Sequence, residues 1–182
     1  GEFGGGDQWR LGRADLDIGK ADRGKGQDAR ARLAGHAHRL AQQPGLAFGV
    51  ATGRSFHSAM AIIEQENAPR PQVMITSVGS EIYHLDPNGV TYTADAAWRA
   101  TVSAGWDRAG VHAALSNLDG LVPQGPLEQR GHKLSYFGDA ATAQRVRAAL
   151  ARAGFAANVI HSHGLYLDVL PEGASKGTAV GH

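Results

Sequence analysis

The apolar residues of this chain occur partly in short unbroken runs and partly at helical intervals. Two unbroken runs, at 46–52 and 73–79, are typical of strands that are buried on both faces of a parallel sheet. The stretch between them, at about 55–67, has its apolar side chains at helical spacing and predicts a helix. A strand, a helix and a second strand in this order predict a parallel sheet flanked by helices.

The rest of the chain has a more mixed pattern. The predicted elements are a hairpin at 80–93 turning at 87–89, helical segments within 95–118, a strand at 131–139, a helix at 140–154, two strands around 162–164 and a helix beginning near 174. Because antiparallel material lies between segments that belong to the parallel sheet, we expect an α/β fold with an incomplete parallel sheet and an inserted, mixed α/β cap.

These patterns divide the chain into three parts. Residues 1–27 are rich in glycine and charged residues and lack apolar runs, which predicts an irregular, tag-like segment. We assign residues 28–84 and 172–182 to a partial core domain and residues 85–171 to a cap domain.

Composition narrows the class of protein. Of the 182 residues, 42% are hydrophobic and 19% are charged, as in a globular domain. The net charge of +1 gives no reason to expect nucleic acid or an anionic membrane as a partner. Cysteine is absent, which excludes disulfides and thiolate metal sites and fits a cytoplasmic location.

Residues 52–55, Thr-Gly-Arg-Ser, follow the first apolar run and precede the first helix. Ligands bind at the carboxyl edge of open parallel sheets, and a helix N-terminus offers free N–H groups there. The Thr52 hydroxyl, a close backbone approach at Gly53 and the side chains of Arg54 and Ser55 therefore form a candidate anion site. The alternative is that the hydroxyl residues only cap the helix.

Lys176 is a second candidate for binding an anion. It lies in the first turn of the last predicted helix, where the helix dipole disfavours a cation, so we expect an anionic partner. The alternative is an ordinary solvated lysine.

Four stretches, in this order, carry a resemblance to a known family: FGVATGRSFHSA, VMITSVGSEIYH, PLEQRGHKLSYF and SHGLYLDVLPEGASKGTAV. They resemble the sucrose-6-phosphate phosphatases of the haloacid dehalogenase superfamily, a module that also occurs at the C-terminus of sucrose-phosphate synthases. The resemblance covers about residues 28–182. It implies a Rossmann-like core with a mixed α/β cap, and hydrolysis of a sugar phosphate through an aspartyl-phosphate with Mg²⁺.

The resemblance also implies roles for individual residues. Thr52 and Lys176 would hold the phosphoryl oxygens. Polar side chains of the cap would bind the sugar, namely Glu128, Gln129, Lys133, His163 and Asp168. The alternative for this cap stretch is a solvated strand edge without a binding role.

The nucleophile motif of the family, Asp-x-Asp-x-Thr after a buried strand, is matched only by Asp15 and Asp17. The resemblance implies that Asp15 attacks phosphorus, that Asp17 protonates the leaving oxygen, and that both bind Mg²⁺. However, Gly19 stands where the family has Thr, and the Gly-Asp metal loop of the family does not occur before His182. We therefore expect a chain that is incomplete at both ends and hydrolyses its substrate weakly.

The resulting hypothesis is a cytoplasmic phosphatase that releases phosphate from sucrose 6-phosphate, with impaired activity in this chain. Two alternatives stay open. One is a phosphatase for another sugar phosphate, such as mannosyl-3-phosphoglycerate. The other is a non-catalytic domain that binds sugar phosphate or supports a sucrose-phosphate synthase domain through fusion or contact. Exposed sheet edges also predict self-association.

Overall fold

A computed structural model describes residues 47–182, together with 35, 37–39 and 42. The predicted irregular segment 1–27, with Asp15 and Asp17, lies outside the described residues. In the described part no helix is long and apolar enough to cross a membrane.

The first half of the described chain forms a four-stranded sheet. Its elements are β1 Gly49–Ala51, α1 Phe56–Gln65, β2 Val73–Thr76, β3 Glu81–Leu85 and β4 Tyr92–Ala94. The strand order is β1-β2-β3-β4, in which β1 pairs with β2 in parallel and the other pairs are antiparallel. Helix α1 covers this sheet by packing Met60 and Ile63 against Met74. The predicted strand–helix–strand unit is therefore confirmed.

The hairpin β3–β4 turns at residues 87–89, as its sequence predicts, with Gly89 at a φ of +69°. Because β3 follows β2 after a turn of only four residues, it returns antiparallel, and β4 then extends the same sheet. The first sheet is thus mixed rather than parallel. The last strand of the first sheet ends at residue 94. The cap domain predicted from the sequence begins earlier, at residue 85. The assignment of the two parts as core and cap domains stays a prediction.

The second half forms an antiparallel sheet with the strand order β5-β6-β8-β7. Its elements and the helices around it are α2 Ala96–Ser103, α3 Arg108–Leu115, β5 Val122–Pro123, β6 Leu134–Phe137, α4 Ala140–Arg152, β7 Ala157–Ser162, β8 Tyr166–Pro171 and α5 Lys176–Val180. The predicted helix at 140–154 and the two strands around residues 162–164 are confirmed.

The two faces of the second sheet differ in character because side chains alternate along a strand. On one face, Leu134 and Tyr136 of β6 pack with α3 and α4 in an apolar core. On the other face lie Lys133 and Ser135, which are buried although they are polar.

The polar face of the second sheet is turned towards the first. Leu170 of β8 and Ile160 of β7 pack in one cluster with Ile75, Val78 and Trp98 of the first half. This packing brings the carboxyl end of β2 close to the polar side chains of the second sheet.

Candidate active site

The turn after β2, Ser77–Gly79, has an unusual backbone. Its three residues all have positive φ, at 52°, 63° and 96°. A β-branched residue such as Val78 rarely adopts this conformation, which persists where the surrounding structure imposes it and is concentrated in functional sites. The Trp98 indole N–H donates a hydrogen bond of 3.1 Å to the Gly79 carbonyl and holds the turn in place.

Thr52 and Arg54 are fixed to this turn by backbone hydrogen bonds. The Thr52 N–H donates to the Ile75 carbonyl at 2.8 Å. The N–H groups of Ser77 and Val78 donate to the carbonyls of Arg54 and Thr52, at 2.7 and 3.2 Å. The buried Thr52 hydroxyl accepts a hydrogen bond from the Arg54 N–H at 3.2 Å. The predicted anion loop therefore lies directly beside the strained turn.

The N-terminus of α5 reaches the same turn from the other side. A Cβ atom added to Gly79 would lie 2.2 Å from the Ser175 carbonyl carbon and 2.4 Å from the Lys176 nitrogen. Lys176 is the first residue of α5, and the Ser175 hydroxyl caps the helix by accepting from the Thr178 N–H. The backbones of Thr52 and Lys176, which are far apart in sequence, thus both lie against the 77–79 turn. Their shared contact with a phosphoryl group stays a prediction.

Two other residues of the predicted anion loop have identified contacts. Ser55 caps α1, with its hydroxyl accepting from the Ser58 N–H at 3.4 Å, which is the alternative that the sequence left open. The Arg54 guanidinium donates to the Ser58 hydroxyl at 3.3 Å. Roles of Gly53, Arg54 and Ser55 in binding an anion stay predictions.

Three of the predicted sugar-binding residues come together on the polar face of the second sheet. The Lys133 side chain is only 2% exposed, and its ammonium lies 3.6 Å from a Glu128 oxygen and 3.7 Å from an Asp168 oxygen. A buried ammonium is costly without anionic partners, and these two carboxylates supply them. Both distances exceed those of normal hydrogen bonds, so the cation is neutralised without close direct contacts.

Ser135 completes this group, which we call the Lys133 cluster: Glu128, Lys133, Ser135 and Asp168. The Ser135 hydroxyl donates a hydrogen bond of 2.6 Å to Asp168, whose side chain is 13% exposed. A cluster with one cationic donor, two carboxylate acceptors and a hydroxyl offers complementary partners for the hydroxyl groups of a sugar.

The other two predicted sugar-binding residues lie apart from this cluster or have other contacts. The Gln129 amide binds the backbone: its oxygen accepts from the Ser135 N–H at 3.0 Å and its nitrogen donates to the Ser135 carbonyl at 2.7 Å. It therefore fixes its segment against β6. His163 lies in the turn between β7 and β8, with φ of +53°, beyond the last pair of that ladder. Sugar contacts by Gln129 and His163 stay predictions.

Comparison with known proteins identifies the family. Residues 14–182 match the model of the sucrose-6F-phosphate phosphohydrolase family. The chain belongs to this family. It is 33% identical over 135 residues to a relative named sucrose-phosphatase 2, from Nicotiana tabacum, which covers 72% of this chain and 31% of the relative. The chain thus spans about a third of the length of that curated relative.

Solved structures confirm the fold. The sucrose-phosphatase of Synechocystis sp. PCC6803, solved with sucrose and phosphate, has 33% sequence identity and a TM-score of 0.73, over 84% of this chain and 62% of that one. A haloacid dehalogenase-like hydrolase from Bacillus subtilis has 18% identity and a TM-score of 0.52, over 89% of this chain and 64% of that one. The predicted α/β fold of the haloacid dehalogenase type is therefore confirmed, with the mixed sheet described above.

One ion pair that the sequence did not predict joins the two halves of this family member. Arg130 donates from Nε to Glu81 at 2.8 Å, across 49 positions of sequence. The second Glu81 oxygen accepts from the Ser77 hydroxyl at 2.9 Å and from the Thr76 hydroxyl at 3.2 Å. Nearby, burial raises the pKa of the Tyr83 phenol, and the negative charge of Glu81 raises it further. Both members of the pair lie in the stretches that carry the family resemblance, but nothing in the sequence pairs them.

A cavity of about 490 Å³ lies elsewhere. Its lining includes Arg108, His112 and the β6 residues Leu134 and Tyr136. These β6 side chains alternate with Lys133 and Ser135, so the cavity is on the helix-covered face of the sheet, opposite the Lys133 cluster.

Potential metal ligands do not cluster in threes in the part of the chain that the structure describes. No group of three or more His, Asp or Glu side chains there could hold a metal ion. The described residues therefore give no support for a magnesium site, and its predicted ligands, Asp15 and Asp17, lie outside them.

Proposed function

We propose that the protein containing this chain hydrolyses sucrose 6-phosphate to sucrose and phosphate. The observation that carries the proposal is the Lys133 cluster, in which Lys133 and Ser135 are buried and two carboxylates face one ammonium. It lies on the face of the second sheet that packs against Ile75 and Val78 of the first half. A polar cluster at one end and a strained turn beside a helix N-terminus at the other suit a ligand with a sugar end and a phosphate end. The family of the chain supports sucrose 6-phosphate as that ligand.

The proposed chemistry has two steps. Asp15 attacks phosphorus and the bond from phosphorus to the sugar oxygen breaks, while Asp17 gives that oxygen a proton. Water then hydrolyses the aspartyl-phosphate, which releases phosphate and restores the Asp15 carboxylate. Thr52 and Lys176 would hold the phosphoryl oxygens, where a hydroxyl donor and a cation oppose their charge.

A requirement for Mg²⁺ is part of the proposal, with Asp15 and Asp17 as the expected ligands. The ion would offset the charge of the phosphoryl group. We expect EDTA to abolish phosphate release and added magnesium chloride to restore it. We also expect the activity of this chain to be low, because Gly19 replaces the Thr of the family motif.

Substitution of Lys133 by Met tests the sugar end of the site. The variant keeps an unbranched side chain in the buried position and removes the ammonium. Because hydrogen bonds to charged groups contribute about 1.5–3 kcal/mol, we expect sucrose affinity, measured by calorimetry, to fall about 10- to 100-fold. Arg152→Met is the matched control, since Arg152 is an exposed cation at the end of α4. Equal sucrose affinity in all three proteins would contradict the proposed sugar site.

Substitution of Asp15 by Asn separates an enzyme from a binding domain. Phosphate release from sucrose 6-phosphate is compared in the parent and the variant, with mannosyl-3-phosphoglycerate as a second substrate. Loss of turnover with retained binding supports catalysis by Asp15. Binding without turnover in the parent protein supports the non-catalytic alternative, and faster turnover of mannosyl-3-phosphoglycerate supports the other substrate.

Protein partners are a further part of the proposal. Among residues 47–182, β1 forms one edge of the first sheet. An unpaired strand edge favours pairing with a second copy, so we expect concentration-dependent association in sedimentation velocity. A sucrose-phosphate synthase domain is the other expected partner, which pull-down with a purified synthase would test.

A further inference from the structure

The segment that contains Lys133 is a tight turn attached to the first half of the molecule. Arg130 and Lys133 exchange backbone hydrogen bonds of 2.9 and 3.3 Å, which close the turn. The Trp106 indole N–H donates to the Gly131 carbonyl at 2.9 Å. The Ser103 hydroxyl of α2 lies 2.8 Å from His132 Nε2.

Because α2 packs its residues Trp98 and Val102 against Ile75 of the first sheet, these contacts fix the 130–133 turn relative to that sheet.

The Arg130 side chain makes the direct connection to the phosphate end. This side chain is 36% exposed, and its guanidinium bonds to Glu81, whose side chain is 15% exposed. Glu81 in turn accepts hydrogen bonds from the hydroxyls of Thr76 and Ser77. Ser77 begins the strained turn against which Thr52 and Lys176 lie. A continuous set of hydrogen bonds thus runs from the turn that holds Lys133 to the turn at the phosphate end.

We propose that Arg130 is a positioning residue: through Glu81, it sets the spacing between the Lys133 cluster and the 77–79 turn. This inference rests on the proposed function, because it needs a substrate that contacts both ends. A ligand held at two places binds tightly only when the two subsites have the correct separation. Loss of the connection should therefore lower the affinity for sucrose 6-phosphate more than the affinities for its two parts, sucrose and phosphate.

An ion pair with a purely structural role would behave differently. Partly exposed ion pairs contribute little to stability. Loss of such a pair would lower the affinity for all three ligands by the same factor or would leave all three affinities unchanged. The ratio between the affinity for the whole substrate and the affinities for its halves therefore distinguishes positioning from general stability.

The experiment compares the parent chain with Arg130→Gln, Glu81→Gln and Arg130→Lys. Calorimetry gives dissociation constants for sucrose 6-phosphate, for sucrose and for inorganic phosphate. We expect both Gln variants to bind sucrose 6-phosphate about tenfold more weakly, with changes below about threefold for sucrose and for phosphate. Arg130→Lys, which keeps the charge but not the planar donor geometry, should recover part of the loss.

Arg70→Gln is the matched control. Arg70 is also 36% exposed and paired with a carboxylate, that of Glu64, but this pair lies within the first half of the molecule. We expect its affinities to equal those of the parent. The proposal would be overturned if Arg130→Gln lowered the affinities for all three ligands by the same factor. It would also be overturned if Arg70→Gln lowered the affinity for sucrose 6-phosphate as much as Arg130→Gln does.

Hydrogen exchange keeps this test independent of the proposed function. Without ligand, Glu81→Gln should raise the exchange rate of the Arg130 and Lys133 amides about tenfold or more, because these amides close the turn that the ion pair secures. Unchanged exchange would overturn the connection itself. If the parent chain fails to bind sucrose 6-phosphate while exchange responds as expected, the proposed function fails and the substrate role of Arg130 fails with it, but the connection stands.

Discussion

The two halves of the molecule form their parts of the candidate site in different ways. The proposed phosphate end consists mainly of backbone: a turn with three positive φ values, a loop bonded to it and the N-terminus of α5. The proposed sugar end consists of side chains on one face of an antiparallel sheet, namely the Lys133 cluster. Backbone sites depend on conformation at a few positions, whereas side-chain sites depend on charge and hydrogen bonding. Substitutions that strain the backbone of the 77–79 turn should therefore affect the proposed phosphate end, and substitutions in the Lys133 cluster should affect the proposed sugar end.

Substitution of Gly79 by Ala should have the largest effect on the phosphate end. The new Cβ would lie 2.2 Å from the Ser175 carbonyl carbon, and the position has a φ of +96°. Neither the backbone of Ser175 nor that of Lys176 can give way without moving α5. Because the clash adds to the strain of a left-handed backbone, we expect unfolding in urea to show a loss of about 2–4 kcal/mol.

Gly89→Ala separates these two contributions. Gly89 also has positive φ, at 69°, but an added Cβ would have no atom within 4 Å. We expect Gly89→Ala to lower the free energy of unfolding by about 1–2 kcal/mol, the cost of the left-handed backbone alone. If the two substitutions cost the same, the close approach of α5 to the 77–79 turn is not what constrains Gly79.

Substitution of Lys176 by Met should have a smaller, more selective effect. We expect calorimetry to show about tenfold weaker binding of phosphate, because a cationic donor is lost, with sucrose affinity unchanged. The free energy of unfolding should stay the same or rise slightly, since a cation at a helix N-terminus opposes the helix dipole. Lys133→Met should give the opposite result, weaker sucrose binding with phosphate affinity unchanged. Loss of both affinities in either variant would show that the two ends are not separable in this way.

The difference between the halves also explains what the sequence could predict. A run of apolar residues followed by Thr-Gly-Arg-Ser indicates a strand end and a helix start from local chemistry alone, and the structure places Thr52 there. The hairpin of β3 and β4 follows from the turn residues between the two strands, whereas the alternation of side chains does not say which sheet the hairpin joins. The ion pair of Glu81 and Arg130 depends on how the two sheets pack, which no local pattern encodes.

Gln129 shows the same limit within one segment. A polar residue between two predicted sugar ligands is indistinguishable from them in sequence. In the structure its amide binds the backbone of Ser135 and Gln124. The fold was thus more predictable than the partners of individual polar side chains.

Acid unfolding should give the smallest effect and tests whether the two halves unfold together. Asp95 caps α2: it accepts a hydrogen bond of 2.7 Å from the Trp98 N–H, which is the main reason its pKa is lowered, and it pairs with His84 at 2.8 Å. A lowered pKa means that the unfolded chain binds the proton more tightly than the folded protein. The carboxylate therefore stabilises the fold above the unfolded pKa of about 3.9, and this contribution is lost as the pH falls through the lower folded pKa.

Asp95→Asn keeps a good cap and removes the charge, so the free energy of unfolding should fall less steeply below about pH 4. Asp139 is the matched position in the second half, since it caps α4 and hydrogen bonds from Thr142 lower its pKa. If the halves unfold as one unit, circular dichroism and tryptophan fluorescence will show a single unfolding transition. Asp95→Asn and Asp139→Asn will then each reduce the pH dependence of that transition below about pH 4. Two transitions, each altered by only one of the substitutions, would show that the packing of Leu170 and Ile160 against the first sheet does not couple the halves.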